Sequence, residues 1–211
     1  MKKRLDTYDK IQMSISYILR FCIVVFFIWE LVQQDYYTAF LIAFFLVLTF
    51  IPAFLERNFK VTLPVELDFA GTVFIFLSLV LGEVHDAYIR FWWWDMMLHT
   101  LSGVILGFIC FIIVYLVSHY SGRSVLSPRM IILFAFCMAT TIGALWEYFE
   151  FFMTETGIHT MQHGNTDTMI DMILVSVGSL FSLWYGYTYL KVKKSHFIER
   201  ILQKISHTKH L

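Results

Sequence analysis

Six runs of apolar residues follow one another along this chain, separated by short polar or charged stretches. The first run reads from Ile15 to Leu31 and the second from Tyr37 to Leu55. The turn between them, Gln33-Gln34-Asp35, is so short that the pair is expected to form an antiparallel helical hairpin. Pro52 marks the exit of the second run, and Glu56-Arg57-Asn58-Phe59-Lys60 follows as a charged loop. In the third run, Phe69 to Leu81 alone is too short for a hydrocarbon core that needs about 20 helical residues. Extending it over 63–82 supplies the length and draws Glu66 and Asp68 toward the membrane. The remaining runs are Trp94 to Val117, Met130 to Phe152 and Asp167 to Leu190. Beyond them, in the basic tail 191–211, Phe197, Ile198, Ile201, Leu202 and Ile205 recur at helical spacing, which predicts an amphipathic helix on a membrane surface. The pattern predicts an all-α polytopic membrane protein: one domain over 1–190, built as a bundle of six transmembrane helices, with an amphipathic C-terminal tail.

Composition agrees with that class and excludes a water-soluble globule. Of 211 residues, 58% are hydrophobic and 15% charged, and the mean hydropathy is +0.67. Net charge is zero, which argues for no particular partner beyond lipid, and no nucleic-acid partner is expected. Cys22, Cys110 and Cys137 all fall inside apolar runs, where they read as small core residues. The first run is long and lacks a small-residue cleavage motif, so it is expected to stay as a helix. Lys and Arg predict the orientation. Lys2, Lys3, Arg4 and Lys10, then Arg57 and Lys60, Arg123 and Arg129, and the basic tail all share one side of a six-span topology. The opposite loops hold only Arg90, so both termini are expected on the cytoplasmic side.

That topology gives the acids a common address. Asp95 and His99, four residues apart, lie about 40° apart on one face of the fourth span, with Ser102, Gly103 and Gly107 continuing the face. Gly103-x-x-x-Gly107 lets another helix approach closely. The fifth span ends with Glu147 and Glu150, preceded by Thr140 and Gly143, and the sixth begins with Asp167 and Asp171, followed by Gly178 and Ser182. His159 and His163 occupy the loop between them, Glu83, His85 and Asp86 follow the third span, and Glu30 lies near the end of the first. Asp95, Glu147, Glu150, Asp167 and Asp171 have no Lys nearby, and only Arg90 is in reach. Half-buried carboxylates in that position must bind protons, bind a cation, or face water. Oxygen and imidazole donors suit Mg²⁺, Mn²⁺, Fe²⁺ or Zn²⁺. The plainer alternative is that the acids join helices or cap their ends, with Asp167 and Asp171 favoured by the helix dipole. Trp92 to Trp94 read as interfacial anchors, and His119, His196, His207 and His210 as solvated residues of the basic side.

Trp-Trp-Asp-x-x-x-His-x-x-Ser-Gly over 93–103, Trp-Glu-x-x-Glu over 146–150 and Asp-Thr-x-x-Asp over 167–171, in this order, resemble the YjdF-like family of bacterial inner-membrane proteins. The likeness runs from about Pro64 to Gly186, and it implies a multi-pass protein of the bacterial plasma membrane without implying a reaction. A more distant similarity is to VanZ-like membrane proteins, whose Glu-x-x-Gln and Asp-x-x-x-Asn motifs are replaced here by versions ending in Glu150 and Asp171, while Met96 stands where a Lys often follows the first Asp.

Three functions compete. In the first, Asp95, His99, Glu147, Glu150, Asp167, Asp171 and His163 bind one or two divalent metal ions in an enzyme acting on a lipid-linked or envelope substrate, with Asp95, His99, Glu147 and Glu150 as the catalytic candidates. In the second, the acids are the ion or proton site of a transporter, with Glu66 and Asp68 as its inner end. In the third, the cluster holds together a scaffold, with or without a structural ion.

Overall fold

The computed structural model describes residues 6–59, 63–120, 126–157, 161–192 and 198–201. Every regular element among them is helical: α1 (Thr7–Gln33), α2 (Tyr36–Leu48), α3 (Ile51–Phe59), α4 (Val65–Ile75) continuing as a π-helix (Phe76–Val84), α5 (Ala87–Arg90), α6 (Trp94–Tyr120), α7 (Pro128–Glu155) and α8 (Asn165–Val192). Six stretches are long and apolar enough to cross a membrane, namely Thr7–Gln33, Tyr36–Asn58, Val65–Val84, Trp94–His119, Pro128–Glu155 and Asn165–Val192. The all-α, six-span fold expected from hydropathy is therefore the one observed. By packing, the described residues group into two compact units, 6–91 with 199–201 and the described part of 92–198.

The first unit begins with a reciprocal cap. Asp6 accepts from the Asp9 backbone N–H at 2.8 Å, and Asp9 accepts in return from the Asp6 N–H at 3.3 Å. At its far end α1 stops on Gln34 in the left-handed region, φ 64°, and Asp35 then caps α2 by accepting from the Thr38 N–H. The turn read from the sequence is thus a cap-to-cap connection. Ile23, Ile42 and Val80 form the apolar centre of this unit, surrounded by Phe26, Phe27, Leu46, Ile75, Phe76 and Val84.

Two ionic contacts tie the elements of this unit together. The second span breaks after Thr49 and restarts as α3, because Pro52 lacks the N–H that a continuous helix needs and its ring crowds the preceding turn. Arg20, buried on α1, covers the break: its Nε donates to Thr49 Oγ1 at 3.1 Å and its Nη2 to the Thr49 carbonyl at 2.7 Å. The same Nη2 pairs with Asp68 on α4 at 2.6 Å. At the other contact, Arg200 pairs with Asp6 at 2.9 Å, Asp9 at 2.7 Å and Glu66 at 3.5 Å. Glu66 and Asp68, left open as an inner end for transport, are thus each held by an arginine. Of the tail, 198–201 is described; Ile198 and Ile201 there are fully buried by protein.

Breaking a buried pair by removing one partner leaves an uncompensated charge, at a cost of about 3–5 kcal/mol. Asp68→Asn is therefore expected to lower the thermal unfolding temperature of the detergent-solubilised protein, and Arg20→Met combined with Asp68→Leu to recover most of the loss. Equal stability of wild type and Asp68→Asn would show that the pair does not hold α1, α2 and α4.

In the second unit, α6, α7 and α8 present an inverted pattern. The buried positions of α8 are Asp171, Val175, Gly178, Ser179, Ser182, Leu183, Gly186 and Tyr189, one stripe at helical spacing. Ile173, Val177, Leu180, Phe181 and Trp184 face outward. α7 repeats this with Ile131, Ala135, Ala139, Gly143 and Glu147 buried at every fourth position and Phe134, Met138, Ile142 and Leu145 exposed. Small and polar residues inside with large apolar ones outside is the arrangement that lipid as a solvent favours, since close backbone packing and satisfied polar groups then provide the cohesion.

Candidate cation site

The three helices of the second unit bring their acid-bearing ends together. Asp95 and His99 lie in the first turns of α6, Glu147 in the last turns of α7 and Asp171 one turn and a half into α8. His99, Glu147 and Asp171 are buried, being 8%, 2% and 1% exposed, and Asp95 is half-buried. One ligand atom from each of Asp95, His99 and Asp171 lies within 4.8 Å of the other two, close enough to hold a single metal ion. His99 stands between two carboxylates: its Nε2 is 3.4 Å from Asp95 Oδ1 and its Nδ1 is 3.7 Å from Glu147 Oε1. The Ser102 hydroxyl donates to the His99 carbonyl within the helix, so it takes no part in holding the imidazole.

Several of these oxygens lack hydrogen bonds. Both carboxylate oxygens of Glu147 and Asp171 Oδ2 are buried without a donor at hydrogen-bonding geometry. The groups facing Glu147 are His99 Nδ1 and the Thr168 hydroxyl. Buried acceptors are ordinarily satisfied, and an orphaned one calls for water, an ion or a proton. No Lys or Arg offers a compensating charge among the described contacts of Asp95, His99, Glu147 or Asp171, and Arg90 pairs instead with Asp86 at 3.6 Å.

The other expected ligands fall outside that group. Glu150, half-buried, accepts from Trp146 Nε1 at 2.8 Å. Asp167 caps the loop before α8, accepting from the His163 backbone N–H at 3.2 Å with His163 Nδ1 at 3.7 Å. The His163 side chain is 73% exposed. His159 lies outside the described residues. Hydropathy gave no sign of the neutral groups that organise this loop. Thr154 Oγ1 accepts from the N–H groups of Met161 and Gln162, and Gln162 Nε2 donates to Thr168 Oγ1 at 2.6 Å. Thr and Gln at a helix end carry neither charge nor periodicity that would single them out from sequence.

What aligns the two ends of the trio is the α6–α8 seam. A Cβ on Gly103 would collide with the Val175 backbone, and one on Gly178 with the Thr100 carbonyl. One turn on, a Cβ on Gly107 would meet Ser179 Cα at 2.8 Å, and one on Gly186 the Phe111 ring at 2.9 Å. Gly143 of α7 meets Val175 in the same way, with its added Cβ 2.8 Å from Cγ1. The Gly103/Gly107 pair expected to admit a helix admits α8, whose own glycines face it.

A family model described as "Predicted membrane protein (DUF2238)" matches residues 15–192, most of the chain. The chain belongs to that family. The match is consistent with the YjdF-like resemblance, and it covers all three helices of the site and most of the first unit. No curated protein and no solved structure matches the DUF2238 chain.

If backbone contact at the seam sets the site, one methyl group will distinguish it from an ordinary helix position. Gly178→Ala is expected to destabilise the protein by about 1–3 kcal/mol through overpacking. Gly71→Ala, where the added Cβ meets nothing within 4 Å, is expected to be neutral or mildly stabilising. Thermal unfolding of the two variants in the same detergent compares them directly.

Proposed function

We propose that this protein binds a divalent cation through Asp95, His99 and Asp171, on the extracytoplasmic side of a bacterial plasma membrane, and uses it as a metal-dependent enzyme on a lipid-linked or envelope substrate. The observation that carries the cation reading is the trio itself, two carboxylates and an imidazole within single-ion reach, beside buried carboxylate oxygens that have no donor. Three protein ligands of this kind leave coordination positions for water and substrate, as in metal sites that activate water or polarise a phosphoryl or acyl oxygen. Glu150, near the end of α7, and Asp167, near the start of α8, would serve as further ligands or as a general base. The Lys and Arg distribution supports the orientation.

A transporter is the second reading, and the seam weighs against it. Immediately beyond the trio, α6 and α8 pack in close contact at Gly103, Gly107 and Gly178, with no space there for an added Cβ. Glu66 and Asp68, its expected inner end, are occupied by Arg200 and Arg20.

Metal analysis of detergent-purified protein tests the reading. Wild type is expected to hold close to one divalent ion per chain, and Asp95→Asn, His99→Gln and Asp171→Asn to retain a tenth or less, about the change expected when one of three ligands is removed. A folded wild-type protein that takes up no divalent ion at millimolar concentration would refute the cation site.

A further inference from the structure

We infer that Glu147 is a positioning residue for His99, holding the imidazole by its Nδ1 edge so that Nε2 is the atom offered to the cation. This rests on the cation reading above and assigns Glu147 a role distinct from the ligands. The two ring nitrogens of His99 face different neighbours. Nε2 faces Asp95, a member of the three-residue group, and Nδ1 faces Glu147, which is outside it. Glu147 is 2% exposed and is the last member of the buried α7 stripe, so backbone packing through Gly143 and Ala139 fixes where its carboxylate ends up. Both its oxygens are buried without a hydrogen bond, and it falls outside the group whose ligand atoms converge. Besides the Thr168 hydroxyl, a carboxylate so placed has the Nδ1–H of the imidazole as a donor once Nε2 is taken by a metal. The separation of 3.7 Å is longer than a hydrogen bond and closes with a small rotation of either side chain. Metal-bound histidines ordinarily donate their second ring N–H to a carboxylate or carbonyl, which fixes the tautomer and raises the basicity of the ligating nitrogen. The Thr168 hydroxyl, which accepts from Gln162, keeps its own proton for the other side of Glu147.

The test uses the full chain in detergent. In the Zn²⁺-loaded wild type labelled with ¹⁵N-histidine, the His99 resonances, assigned by their loss in His99→Gln, are expected to show metal on Nε2 and a proton on Nδ1. Metal on Nδ1 would overturn the assignment without touching the cation reading. In parallel, Co²⁺ titrations compare wild type, Glu147→Gln and Asp171→Asn by the visible absorption of the bound ion. Glu147→Gln is expected to keep the shape of the Co²⁺ spectrum while its Kd rises by about 10–100-fold, and Asp171→Asn to change the shape because a ligand is gone. A Glu147→Gln spectrum altered as in Asp171→Asn makes Glu147 a ligand, and an unchanged Kd makes it a bystander; either result overturns the proposal. Should Glu147→Gln fail to fold, the wild-type nitrogen assignment still decides the matter. A wild type that binds neither Zn²⁺ nor Co²⁺ removes the cation reading and this inference together.

Discussion

The distance between α6 and α8 is set by glycine. At Gly103 and Gly178 each helix presses its backbone into the other, and neither position has space for a single additional carbon. In lipid this contact takes over the role that hydrophobic burial plays in water, because the hydrocarbon tails outside are as apolar as any core. The two glycines lie just past His99 and Asp171 along the same stripes, so the contact also determines how far apart those side chains sit.

A second constraint is imposed by charge. Removing a carboxylate from water is costly unless a partner compensates it, and the two units solve this differently. In the first, Asp68 has Arg20, and Asp6, Asp9 and Glu66 share Arg200, so every one of these acids has a guanidinium in contact. In the second, Glu147 and Asp171 are buried as deeply as Asp9, and their described contacts include His99 but no Lys or Arg. The cation proposed above would supply to the second unit the charge that arginines supply to the first.

Much of this was legible in the sequence. Six apolar runs gave the spans, because span length and hydropathy are local properties. Glu147 continues the spacing of Ala135, Ala139 and Gly143, so its inward direction could be read as well as its depth. Glu150 lies off that stripe and accepts from Trp146, a contact that its depth alone does not reveal. Long-range pairing was not legible. Arg20 has its partners Thr49 and Asp68 29 and 48 residues away, and Arg200 reaches Asp9 across 191. Nor does periodicity reveal the π-helical stretch of the third span, whose wider turns shift each side chain off the positions an α-helix assigns.

The central claim, that Asp95, His99 and Asp171 share an ion, is tested most directly by where that ion sits. Anomalous-scattering density from Mn²⁺- or Zn²⁺-loaded crystals is predicted to show one peak bounded by the three side chains, with the His99 nitrogen at about 2.0–2.2 Å from the metal. A peak bonded to other residues, or density in which the three side chains contact only one another and water at saturating metal, would contradict the account.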